Sequence, residues 1–204
     1  MPDHPETVSR AGRLPDGRGS SALAYFLTLR AYGTWLHGEP GAVDRRRNIY
    51  GDPGVPVSAG LRAARRASLR HPPASFDATA REVVMGAVEE VCDHRGWSLL
   101  ALHVRTDHVH ALLAAPADVT PERIMNDLKS YATRHLREGG LFGGRPVWSR
   151  HGSTRHLFQE WRVRRAVRYT VLEQGPWLDP APGWDTSLLS AAEVDEWLAS
   201  EPRP

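Results

Sequence analysis

The feature that most constrains this chain is a pair of apolar runs, SLLALHV at 98–104 and HVHALLAA at 108–115, separated only by Arg105, Thr106 and Asp107. Two strand-like runs joined by three polar residues read as a tight antiparallel hairpin. A lone hairpin is marginal in water and needs further strands or helices over its apolar face. The flanking sequence supplies both. Asp77 caps a predicted helix over about 77–95, in which Val84, Ala87, Val88 and Val91 form one stripe and Gly96 stands at the C-terminal stop. Thr120, Pro121 and Glu122 open a second predicted helix that Gly139 and Gly140 close. An aromatic-rich run at 23–36 reads as the first strand, TRHLFQE at 154–160 as a later one, and 161–174 as a last helix ended by Gly175 and Pro176.

The order is strand, insert, helix, strand, strand, helix, strand, helix. That is an α+β chain with a ferredoxin-like βαββαβ antiparallel sheet and an additional C-terminal helix. Helices on one face of such a sheet leave the other face, or an edge cleft, for a ligand. A chain of 204 residues suits one domain with tails. Residues 1–22 read as a disordered leader, 23–175 as the domain with 37–73 as a basic insert, and 176–204 as an acidic tail with room for a short helix. Removal of that tail is expected to leave folding intact.

No apolar run approaches the ~18 residues of a membrane helix, and the polar N-terminus lacks the apolar stretch of a signal peptide, so a cytoplasmic location is expected. The single cysteine, Cys92, can form neither an internal disulfide nor a cysteine zinc cluster and is expected to be a buried apolar residue. Residues 176–204 hold six acids against Arg203, a balance of −5, so the other 175 residues carry +7. A basic body fits a polyanionic partner such as nucleic acid.

The chemistry-bearing residues sit in two places. His108 and His110 flank Val109 in a predicted strand, so both imidazoles fall on one face. The pair is half of a divalent-metal site, or equally the polar face of an ordinary strand. Tyr169 lies on the last helix with Glu173 one turn on, Gln174 next to it, and Arg162, Arg165 and Arg168 around them. A phenol, a metal-ligating group and cations for phosphate are what phosphoryl transfer to tyrosine requires; the same Tyr169 would also serve as a core aromatic. Tyr131 on the preceding helix is the rival phenol. Arg45, Arg46, Arg47, Arg62, Arg65, Arg66 and Lys129 are candidates for phosphate contact, and Tyr25, Tyr32 and Trp35 for base stacking.

Taken together, the opening YFLTLRAYGTWLHG, then HVHALL, LKSYATRHL, VWSRHGSTRHLF and RYTVLEQG resemble the single-tyrosine HUH transposases, the insertion-sequence-200-like family with its REP-associated relatives, over about 23–175. The resemblance implies that His108 and His110 bind Mg²⁺ or Mn²⁺, that Tyr169 is the nucleophile, and that a polar residue one turn later completes the site. Better-known members carry a glutamine four residues after the tyrosine. Here Glu173 holds that place and Gln174 follows, so both stand as candidate ligands. The implied activity is cleavage and rejoining of single-stranded or hairpin DNA through a 5′-phosphotyrosine link by a homodimer. The alternatives are a replication-initiator or relaxase-type nuclease, and a ferredoxin-like DNA-binding module without catalysis.

Overall fold

A computed structural model describes residues 22–37, 39 and 57–200. Arg45, Arg46 and Arg47, with the leader 1–21, lie outside the described residues. The elements are β1 (Ala24–Ala31), α1 (Ala59–Ala67), α2 (Ala78–Arg95), β2 (Ser98–Val104), β3 (His108–Ala114), α3 (Pro121–Glu138), β4 (Trp148–Leu157), α4 (Glu160–Leu172), β5 (Gly183–Trp184) and α5 (Ala191–Ser200). The sheet runs β4-β1-β3-β2-β5, and every pair is antiparallel. Its first four strands have the ferredoxin-like order.

The local signals act as their chemistry dictates. The Asp77 carboxylate accepts from the Ala80 amide at 2.8 Å, and Gly96 closes α2 in the left-handed conformation, φ 67°. Thr120 caps α3, with Pro121 in its first turn. The Arg105 amide donates to the His108 carbonyl at 2.8 Å, which closes the β2–β3 hairpin. Among its described residues the basic insert holds a nine-residue helix, α1, capped by Ser58 and without a buried residue. Several boundaries moved, and the first strand ends at Ala31 instead of 36. The late strand starts at Trp148 instead of 154, because Ala31 pairs with Trp148 beyond an irregularity in β1. The last helix stops at Leu172 and leaves Glu173 as its cap.

Both faces of the sheet are covered. On one side Leu27 and Leu29 of β1, Leu102 and Val104 of β2, and Val109, Ala111 and Leu113 of β3 pack against α2 and α3. On the other, Phe26, Leu100, Leu112 and Ala114 meet Val163, Val167 and Val171 of α4, joined by Trp184, Leu188, Leu189 and Val194. The expectation of helices on one face alone is corrected: α4 lies across the second face and brings Tyr169 with it. β4 approaches β1 closely at Gly152, where a Cβ would run into the Thr28 carbonyl oxygen and the Met125 side chain. Cys92 is buried, and burial pushes its thiol up to about 12.

The acidic C-terminal segment is part of this second core. β5 pairs with β2 through Ala101 and Trp184, and the Trp184 indole, 2% exposed, donates to the Leu189 carbonyl at 2.7 Å. The buried Arg81 guanidinium ties Asp179 to Phe76 through their carbonyls. The tail is packed into the second core, which argues against the expectation that it can be removed without loss of folding. Trp184→Ala is expected to cost about 3–5 kcal/mol in urea unfolding, and a chain ending at residue 175 to lose its cooperative transition; a sharp native-like transition in the truncated chain would contradict this.

Candidate functional site

Strand alternation builds the site on the α4 face of the sheet. Val109 points into the α2–α3 core while His108 and His110 point the other way. Cross-strand register then extends the face. His103 of β2 pairs with His110, His110 with Thr28 of β1, and Thr28 with Ser153 of β4, which makes one transverse row. A second row pairs His108 with Arg30. The two imidazole rings of β3 lie 4.7 Å apart at 70°.

Tyr169 reaches the row from above. Its ring is 5.6 Å from that of His110 and 5.9 Å from Phe26, edge-on to both, and Phe26 stacks on His110 at 5.1 Å. At 39% exposure the phenol is open to solvent on its outer side. His103 fixes the helix above it: its Nδ1 sits 2.9 Å from the Thr170 carbonyl oxygen, which can only accept, so Nδ1 carries the proton. Sequence spacing could not decide whether the last helix lies beside the histidine pair; tertiary packing puts it there.

Burial holds His110 and His103 neutral, and polar partners orient the rings. Burial pushes His110 down to about 3; the neighbouring His108 pushes in the same direction, and a hydrogen bond with the Gln174 side chain acts against them. Burial likewise brings His103 down to about 4. The Thr28 hydroxyl lies 3.1 Å from His110 Nδ1, and Asp107 Oδ1 lies 2.7 Å from His108 Nδ1. That bond to His108 is the main reason the Asp107 carboxyl is held below its usual range. Among the described residues the Nε2 atoms of His108 and His103 are buried without a hydrogen-bond partner. A ring whose Nδ1 is tied to a carboxylate and whose Nε2 is bare is how metal-ligating histidines are presented.

Beside His108 stands a group the sequence reading missed. The guanidinium of Arg30 lies 4.4 Å from the Trp35 ring centre, and its Nε is buried without a partner among the described residues. Burial lowers its pKa. The Trp35 indole donates to Asp107 Oδ2 at 3.1 Å and meets His108 edge-on at 5.6 Å. Trp35 takes a left-handed backbone, φ 54°, which costs a non-glycine residue roughly 1–2 kcal/mol; the stack and the indole hydrogen bond hold it there. Alternation along β1 puts Arg30 two residues from Thr28, and only the register of β1 against β3 reveals that it faces His108.

Other candidates are dispersed. Glu173 turns to Arg168, with 3.8 Å between carboxylate and guanidinium, whereas Gln174 bonds to His110 and donates to the Tyr169 carbonyl at 3.2 Å. Arg165 and Arg168 are exposed on α4, and Arg62, Arg65 and Arg66 are exposed along α1. Lys129 is on α3, behind the sheet from Tyr169; its ammonium donates to the Ser149 carbonyl at 2.9 Å, and burial lowers it to about 8. It lines an open groove of about 500 Å³ with Thr133, Arg134 and Arg137. The rival Tyr131 also lies on α3, with Arg134 over its ring at 4.5 Å. Tyr25 is a core residue, Tyr32 packs beside the core near His71, and Trp35 alone of the three stacking candidates reaches the site. No three His, Cys, Asp or Glu side chains among the described residues gather closely enough to hold a metal ion. The site offers two imidazoles and a carboxamide. No helix among these residues is long and apolar enough to cross a membrane.

Residues 70–158 match the family described as IS200-like transposases. The matched segment includes His108 and His110 and ends before α4. A comparison with curated proteins finds no match. Two solved structures are similar to the chain. One is a REP-associated tyrosine transposase bound to a REP hairpin, 13% identical over 74% of this chain and 65% of that one, with a TM-score of 0.45. The other is a candidate transposase from Deinococcus radiodurans, 16% identical over 76% of this chain and 92% of that one, with a TM-score of 0.39.

The buried histidines make stability fall with acid. The His103 imidazole titrates near 4 in the folded chain and near 6.5 when unfolded, so between those values the unfolded state binds a proton that the native state does not. Its contribution is complete above pH 6.5 and is lost as the pH falls toward 4, at up to about 1.4 kcal/mol per pH unit. Urea titrations in EDTA across this window should show the slope, and His103→Gln should flatten it by close to one proton; an unchanged slope in the variant would refute the assignment.

Proposed function

We propose, from the IS200-like transposase family that residues 70–158 match, that this chain cuts and rejoins single-stranded or hairpin DNA with Tyr169 as its nucleophile. One observation carries the reading: α4, outside the matched segment, seats the Tyr169 ring 5.6 Å from that of His110. A part-exposed phenol against the neutral His110 imidazole, with His108 beside it, is an arrangement for phosphoryl transfer to tyrosine. A core tyrosine would be buried.

The residues fit a divalent cation. His108 presents a buried, bare Nε2 with Asp107 behind it, and His110 is kept neutral by burial. Gln174, at His110, fits as an oxygen donor; Glu173 is engaged by Arg168. His108, His110 and Gln174 would hold Mg²⁺ or Mn²⁺, which would polarise the scissile phosphate and offset the charge that builds on its oxygens.

The protein's own groups account for the other steps. Arg30, half-buried beside His108, offers a guanidinium with an unused donor to a non-bridging phosphate oxygen. Arg165 and Arg168 draw the strand towards α4. The Tyr169 oxygen attacks phosphorus in line, forming the phenolic O–P bond as the bond to the 3′ oxygen of the preceding nucleotide breaks; the phenolic proton leaves to solvent on the exposed side, and the departing 3′ oxygen takes a proton from solvent. The products are a 5′-phosphotyrosine and a free 3′-OH. Because the ester retains the energy of the broken bond, attack by another 3′-OH rejoins strands without ATP and releases Tyr169. Action as a homodimer rests on the resemblance alone.

Incubation with labelled hairpin DNA and Mn²⁺, followed by a denaturing gel, should give a covalent adduct with the native chain and none with Tyr169→Phe or in EDTA. DNA binding without any adduct across a diverse hairpin pool would leave a binding module in place of an enzyme. Asp107→Asn should weaken Mn²⁺ binding roughly 10–100-fold in calorimetry, since the amide is a weaker partner for the His108 N–H; unaltered affinity would remove His108 from the cation site.

A further inference from the structure

Among the described residues, the exposed large aromatic side chains are Phe158, Trp161 and Tyr169, at 57%, 56% and 39% exposure. Tyr169 has a role in the proposed chemistry. Trp161 has none; a single exposed ring is ordinary, but this one lies under a guanidinium on the face that carries Tyr169. At 100° per residue, Trp161, Arg162, Arg165 and Tyr169 fall on one face of α4, opposite the buried Val163, Val167 and Thr170. The Arg162 guanidinium lies over the Trp161 ring at 5.0 Å, and its Nε is held by Gln159 Oε1 at 2.9 Å, so the indole and its cation are already arranged. Between Trp161 and Tyr169 no acidic residue falls on this face; Glu173, one turn beyond Tyr169, turns its carboxylate to Arg168, and Glu193 of α5 lies towards Arg164 and Arg168.

We infer that this face of α4 is a single-strand track, on which Trp161 stacks an unpaired base while Arg162 and Arg165 hold the adjoining phosphates and direct the strand to Tyr169. The inference rests on the proposed nuclease reading and adds where the strand lies. Two features select single-stranded DNA as the occupant. Between Trp161 and Tyr169 the charge is of one sign, and an exposed aromatic ring flanked by arginines binds bases through their faces, which a duplex does not present. The eight residues from Trp161 to Tyr169 rise about 12 Å, the length of roughly three to four stacked nucleotides.

The test is fluorescence anisotropy with a labelled 15-nucleotide thymidine strand in EDTA, where no cleavage occurs. Trp161→Ala is expected to weaken binding about tenfold or more and Trp161→Phe by no more than a few-fold, since any aromatic ring can stack. Arg165→Gln should reduce the slope of log affinity against log salt by about one. Phe158→Ala, equally exposed but off this face, should bind within about twofold of the native chain, the scale of a lost peripheral contact. Native-like binding by a folded Trp161→Ala chain overturns the inference, as does an equal loss in Phe158→Ala. So does conversion of a dimer to a monomer by Trp161→Ala in sedimentation velocity, which would make this face an interface between copies. Failure of the native chain to bind any strand or form any adduct overturns the nuclease reading as well, whereas adduct formation with unchanged binding in Trp161→Ala removes the track alone.

Discussion

The structure depends on the central position of β3, paired along both edges by β1 and β2. With its backbone groups satisfied by two neighbours, this strand can be buried on both sides and spend its two faces differently. Val109, Ala111 and Leu113 complete the core under α2 and α3, while Leu112 and Ala114 start the second core and His108 and His110 continue that face into the site. A shift of one residue in pairing would exchange these sets, putting two imidazoles into an aliphatic core and Val109 into the site. The register that makes the protein stable is thus the register that makes the site.

The second face shows why the site is stiff. α4 is fixed by its valines on the sheet, by the hydrogen bond between His103 and the Thr170 carbonyl, and by the C-terminal segment that closes over its other side through Trp177 and Trp184. Tyr169 is therefore placed by residues on β2, β3 and β5, none near it in sequence. Burial then sets the electrostatics. In a partly dry environment a charged imidazole is disfavoured, so His110 and His103 stay neutral well below neutral pH, which leaves His110 a lone pair for bonding where an exposed histidine would begin to compete for protons.

The chain of contacts behind His108 is the part furthest from any sequence pattern. Asp107 holds the ring, Trp35 holds Asp107, and Arg30 stacks on Trp35. These residues come from β1, the segment after it and the β2–β3 turn, and together they orient one ring while keeping a guanidinium partly desolvated beside it. A partly desolvated cation with an unused donor is costly unless an anion arrives.

The sequence by itself determined the elements and the two halves of the site. The period-2 run around Val109 put both histidines on one face, the Asp77 and Thr120 caps started α2 and α3, and the three polar residues at 105–107 made the hairpin, because these depend on local geometry and near neighbours alone. It did not show that residues 183–194 belong to the core, since Trp184 and Val194 are spaced too sparsely to give a periodic signal and β5 has two residues. Nor did it show that Glu173 turns to Arg168 while Gln174 lies at His110, or that Arg30 faces His108. The last two are distances between side chains far apart in the chain, and they exist only once strand register and the packing of α4 bring the pieces to one place.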